Sequence, residues 1–145
     1  MAAKIKDKPN SWEKVQLVQP IEKICFGFSH MTGNNNYSFN KVPVGEKVEA
    51  YEALLEKLND LCGININEAR NRGKKLGAER IPYTQLSSSF QGVCDTSDVV
   101  SKDSKVVVFQ FCNHKYRLIC KDDIIHSNLM HIIGFDFDFT AYDHG

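Results

Sequence analysis

Residues 105–139, KVVVFQFCNHKYRLICKDDIIHSNLMHIIGFDFDF, decide how this chain folds. Positions 106–112 are β-branched and aromatic, the composition of a strand. Asn113-His114 can make a tight turn, and 115–121, KYRLICK, can then pair antiparallel to the first run. Asp122-Asp123 is a second turn. Residues 129–139 end in strict alternation, which predicts an edge strand with Phe135, Phe137 and Phe139 facing a core and Asp136 and Asp138 facing solvent. A meander of three or four strands follows.

Working outward, 81–104 carries weaker signals: Ser87, Ser88, Ser89, Gly92 and 95–98 read as loop, with a short strand over 81–86. Before it lies the most periodic segment, in which Val48, Tyr51, Leu55, Leu58 and Cys62 recur at spacings of three and four, with Leu54 and Leu61 widening the stripe. This predicts a helix over 46–61, with Gly63 placed as a left-handed stop. Asn65 and Glu68 have the form of a capping box, so a second helix should start there and run towards Leu76. The two would form an αα-hairpin. Near the N-terminus Ile24, Phe26 and Phe28 alternate with Cys25, Gly27 and Ser29, the period of a strand; 31–36 supplies turn residues and 37–42 returns as a hairpin partner. Residues 1–12 are charged without apolar periodicity and read as a flexible N-terminal arm, with order beginning near Trp12 and a single domain over 13–145. The predicted fold is α+β: β-hairpin, two antiparallel helices packed on one face of a mostly antiparallel sheet, then a β-meander.

The chain has 145 residues, 42% hydrophobic and 25% charged, which suits one soluble globular domain rather than a disordered or fibrous protein. Eighteen basic residues balance eighteen acidic ones, so binding through bulk charge is excluded and an anionic partner must be met by a local patch. No apolar run approaches the ~20 residues of a membrane helix. The N-terminus has no apolar core of a secretory signal, and five cysteines without a C-x-x-C pair read as reduced, buried thiols; together these lead us to expect a cytoplasmic protein.

Charge is nevertheless segregated. Residues 68–80 hold Arg70, Arg72, Lys74, Lys75 and Arg80 against Glu68 and Glu79, while 102–121 hold five basic residues against Asp103. If the second helix lies beside the KYRLICK strand, Arg70, Arg72, Lys74, Lys75 and Lys115 would line one nucleic-acid-binding groove with Arg117, and Tyr116 would offer a stacking surface. The competing account is a solvated helix face. The ending FDFDFTAYDHG gathers Asp136, Asp138, Tyr142, Asp143 and His144, groups that can ligate a divalent cation or act as general acid and base on a phosphodiester, although no known metal or nucleotide motif accompanies them.

The run RLIC at 117–120, a short acidic turn and LMHIIGFDFDFTAY resemble the C-terminal sheet of RelE-like and HigB-like toxins, small ribonucleases that bind the ribosome and cut messenger RNA. The chain is also similar to a set of phage- and mobile-element-associated proteins that end in D-x-x-H-x-x-Y, in which FGFSH-like and YEALLEKLNDL-like segments precede the sheet. The resemblance implies an RNA or ribosome partner, with an antitoxin or a host defence component as a protein partner. It implies a reaction without metal or cofactor in which Arg117 holds the scissile phosphate, Tyr142 positions or protonates the leaving group, and Lys74 and Lys75 bind the RNA backbone. Asp136 takes the place of the leading Asp and Tyr142 that of the terminal Tyr. Phe139 stands where the pattern has His, a place His144 could fill only if the tail folds back. A second expectation, from another class, is a non-catalytic protein-binding module.

Overall fold

A computed structural model describes residues 22–97 and 99–143. The arm at 1–12 and the onset at Trp12 lie outside the described residues, as does His144. Strands β1 (Cys25–Gly27), β2 (Ala78–Pro82), β3 (Lys105–Phe111), β4 (Tyr116–Asp122) and β5 (Leu129–Asp136) form one sheet in the order β1-β5-β4-β3-β2. The helices are α1 (Lys47–Leu61), α2 (Ile66–Asn71), α3 (Gly73–Leu76) and α4 (Ser88–Asp95). The class is α+β as predicted, and β2 to β5 pair antiparallel.

Four departures have physical causes. The N-terminal hairpin does not form: β1 pairs parallel with β5, from Cys25 opposite Leu129 to Gly27 opposite His131, and 35–41 makes two 3₁₀ turns. Asn34 and Ser38 cap these turns by accepting from the backbone N–H groups of Asn36 and Asn40, an alternative to strand pairing that short polar side chains favour. The serine-rich stretch is a helix, because the Ser87 hydroxyl accepts from the Phe90 N–H at 3.2 Å and starts α4. The second predicted helix starts where expected, with Asn65 Oδ1 accepting from the Glu68 N–H and Asn65 Nδ2 donating to Glu68 Oε1, both at 2.9 Å. It is then divided at Gly73, whose φ of +81° is left-handed, so the second arm of the expected hairpin is two short helices. Gly63 has no positive φ; α1 ends as the Cys62 N–H returns to Leu58 O.

Helices cover both faces of the sheet rather than one. On the first face Ala50, Leu54 and Leu61 of α1 and Ile66 and Ala69 of α2 pack on Val107, Phe109, Leu118, Cys120 and Ile132. On the second, Phe90, Val93 and Cys94 of α4, with Tyr37, Tyr83 and Ala141, pack on Val106, Val108, Ile119 and Ile133. Each fully buried large apolar side chain stabilises the fold by about 1.5–3 kcal/mol. The exposed side of α1 carries Val48, Tyr51 and Leu55, residues that the periodicity assigned to the core. All five cysteines are free, and the expectation of burial holds for Cys94 and Cys120 but not for Cys25 and Cys62, which are exposed. Burial pushes the Cys94 thiol up to about 12. Among the described residues no helix is long and apolar enough to cross a membrane.

Candidate functional site

Among the described residues three polar or charged side chains are buried, Gln110, Arg117 and Asp136, and they form one row. Gln110 on β3 lies opposite Arg117 on β4, which lies opposite Asp136 on β5, so the period of two puts them on the α4 face at the end nearest the β3–β4 turn. A buried polar row is costly unless it is partnered or used.

The alternation predicts Asp136 facing solvent on an edge strand. Instead β5 is interior and the chain folds back over this position: Asp136 Oδ1 accepts from the Thr140 N–H at 3.0 Å and Oδ2 from the Ala141 N–H at 3.2 Å. The tail is held further by Ser87 N–H donating to Ala141 O at 2.7 Å and by a bridge between Leu86 and Tyr142. Asp136 therefore positions the segment that carries Tyr142. The Phe–Asp alternation ends with the strand: Phe135 is buried on the α1 face, Phe137 is half-buried, and Phe139 is exposed.

Arg117 Nη1 donates to the carbonyls of His114 at 2.6 Å and Tyr116 at 3.3 Å, and its guanidinium lies 5.2 Å from the Phe139 ring centre. Phe139, at the position where the resemblance leads one to expect His, is thus a cation–π partner. Among the described residues the non-glycine positions with left-handed φ are Cys112, Asn113, His114 and Phe139. The first three make the turn that hands a carbonyl to Arg117, and the fourth lies against its guanidinium. Each such residue costs on the order of 1–2 kcal/mol, and strain of this kind collects where a fold serves a site.

Arg117, Tyr142, Gln110 and His114 line a cavity of about 410 Å³, and Lys74 and Lys75 of α3 complete its rim. Glycines bracket that short helix. Gly73 supplies the left-handed entry, and a Cβ at Gly77 would lie 1.7 Å from Ala69 O, so only glycine lets α3 turn directly into β2. Glu79 and Asp143 are the acidic lining groups, leaving the three basic side chains in excess. Burial, reinforced by the Glu79 carboxylate, holds the Tyr142 phenol up at about 12 although Arg117 pulls the other way. Tyr142 is therefore a proton donor at neutral pH and not a base.

Of the predicted residues, the structure brings together Lys74, Lys75, Arg117 and Tyr142, with Asp136 behind them. The wider groove is not formed. Arg72 is ion-paired with Asp60 at 2.8 Å, Arg70 is exposed on α2 and does not line the cavity, and Tyr116 is buried in the α1-face cluster with Lys115 5.3 Å from its ring centre, so it offers no stacking platform. Sequence reasoning missed Gln110 and His114. Gln110 left one signal, a polar residue interrupting the apolar run VVVFQF, whereas His114 gained its place through backbone geometry that no spacing records. Among the described residues no group of three or more His, Cys, Asp or Glu side chains is arranged to hold a metal ion.

Fold and site together define an α+β protein with a basic pocket at one end of a mixed five-stranded sheet. Set against known proteins, the chain matches no family model, no curated protein and no solved structure.

Proposed function

We propose that this protein binds RNA, with one phosphodiester held in the pocket of Arg117, Lys74 and Lys75, and that its arrangement is that of a RelE-like, toxin-like protein of a phage or mobile element. The observation that carries the reading is the convergence of these cations with Tyr142 in one cavity, from three separate stretches of chain. A buried guanidinium that lines the cavity and two ammonium groups at its rim suit a phosphate through charge-assisted hydrogen bonds. In a cleavage reaction Tyr142 would donate a proton to the leaving oxygen, and His114 is the pocket's imidazole for moving the other proton.

Gel retention of a single-stranded RNA over a salt series tests this. Lys74 and Lys75 are exposed, so replacing both by Ala should leave folding intact, weaken binding similarly across sequences and reduce the salt slope by about one to two units. Binding that is absent at low salt, or a slope unchanged in the double variant, overturns the proposal. Incubating the same RNA with the intact protein and with Tyr142→Phe separates cleavage from binding.

The protein-binding reading has its own observation. Val44, Val48, Tyr51 and Leu55 are 84%, 69%, 51% and 69% exposed and form an apolar stripe on the outer side of α1 and the turn before it. A stoichiometric protein partner retained after nuclease treatment, and lost with Leu55→Asp, would favour it.

A further inference from the structure

At the end of the sheet away from the basic pocket, the fold leaves a buried nitrogen unused. The His131 side chain on β5 is 13% exposed, and among the described residues its Nδ1 has no hydrogen-bond partner. Its other ring nitrogen, Nε2, lies 2.9 Å from Asp123 Oδ1. A carboxylate can only accept, so the ring proton sits on Nε2 and Nδ1 keeps a lone pair. A polar atom buried without a protein partner in a native fold calls for a water or an ion beside it. Two neighbours shape that space. The His30 ring stands edge-on to the His131 ring, with centres 5.0 Å apart and planes at 88°. Gly27 is the β1 partner of His131, and a Cβ there would come 3.4 Å from Nδ1, so no side chain fills that side of the nitrogen. Lys121, opposite His131 on β4, is held by the Asp122 carboxylate at 2.7 Å.

We propose that His131 Nδ1 and the His30 imidazole together bind a divalent cation of the zinc, copper and nickel class, with Asp123 as the positioning residue. Two imidazoles that share one such ion at about 2.1 Å place their ring centres roughly 5 Å apart, the spacing already present here. A ligating imidazole commonly passes its second N–H to a carboxylate, which fixes the tautomer and orients the ring. Asp123 does this for His131, and its other oxygen is anchored by the Ile125 and His126 N–H groups. Imidazole nitrogen suits these ions, whereas magnesium and calcium take oxygen ligands. No third His, Cys, Asp or Glu joins the pair among the described residues, so the ion keeps water at its remaining positions and exchanges more readily than in a closed four-ligand site. This site is independent of the RNA reading.

The test is calorimetric titration of the full chain with zinc chloride at neutral pH, with magnesium chloride as the control. Zinc should bind at one ion per chain and raise the melting temperature, and magnesium should do neither. His30 is half-buried in the turn after β1, so His30→Ala should leave the metal-free melting temperature nearly unchanged while weakening zinc binding about tenfold or more. His131→Gln should abolish binding. Asp123→Asn keeps both ligands and should still weaken zinc binding by about 10- to 100-fold, a loss that a purely structural role for Asp123 would not produce in a chain that remains folded. Absence of zinc binding overturns the proposal, as does an affinity unchanged in both His30→Ala and His131→Gln. Binding that survives in those variants and disappears with Cys25→Ser and Cys62→Ser would assign the ion to the two exposed thiols and overturn it equally.

Discussion

On the face covered by α1 and α2, β3 to β5 present Val107, Phe109, Leu118, Cys120 and Ile132; on the opposite face the same strands present Val108, Ile119 and Ile133, then Gln110, Arg117 and Asp136. The first face is apolar along its length. The second is apolar for part of its length and polar where the chain is most strained. A sheet buried on both sides loses the alternation that would reveal its faces, so the few polar residues inside it are the informative ones.

The largest test of this contrast removes bulk from the apolar face. Phe109 is fully buried there and packs edge-on with Phe26 at 5.8 Å, so Phe109→Ala should cost about 3–5 kcal/mol in denaturant unfolding while the basic pocket on the other face keeps its lining. RNA affinity lost in step with a much smaller change in stability would mean that the faces are not separable.

The next effect is smaller and falls on the polar face. Asp136→Ala leaves the amides of Thr140 and Ala141 without their acceptor, and should cost about 1–3 kcal/mol. Because those bonds hold the segment bearing Tyr142, proteolysis within 137–143 should quicken at the same time. A variant that is as resistant as the natural protein would show that Asp136 does not position the tail.

A third measurement lies away from the basic pocket, at the β4–β5 turn. Asp123 Oδ1 bonds His131 Nε2 at 2.9 Å and Oδ2 accepts from the Ile125 and His126 N–H groups at 3.1 Å each. The bond to His131 leads in holding the Asp123 carboxyl down at about 2 against an ordinary value of 3.8. A depressed folded-state value means that this contribution to stability is complete above about pH 4 and is lost as pH falls towards 2. Asp123→Asn should therefore flatten the acid limb of the stability curve between pH 4 and 2, and an unchanged limb would place the acid sensitivity elsewhere.

How much of this was legible follows from how local each feature is. The Asn65–Glu68 capping box and the β3–β4 hairpin are written in contiguous residues, and both form. The partner of β1 is β5, near the other end of the chain, and nothing in 24–42 records that pairing. In the site, Lys74, Lys75 and Arg117 announced themselves by charge and Tyr142 by resemblance. The alternation places Asp136 on β5 but not its surroundings, because its burial comes from a tail whose path depends on the two amides that it binds.

The smallest expected effect is at Leu55, next to a leucine whose loss costs far more. The periodicity of α1 offers two overlapping apolar stripes, one through Ala50, Leu54 and Leu61 and one through Val48, Tyr51 and Leu55, and spacing alone cannot say which meets the sheet. The structure buries the first: Leu54 is 9% exposed and Leu55 69%. Leu54→Ala should cost about 2–5 kcal/mol, whereas Leu55→Ala removes atoms already in water and sits where alanine favours a helix, so its effect should stay within about 0.5 kcal/mol. Equal midpoints for Leu55→Ala and the natural protein, with no dependence on protein concentration, are the expected outcome. A loss of several kcal/mol at Leu55 that grows on dilution would show that this outer stripe is covered by another copy of the chain, so that α1 would be packed on both of its sides.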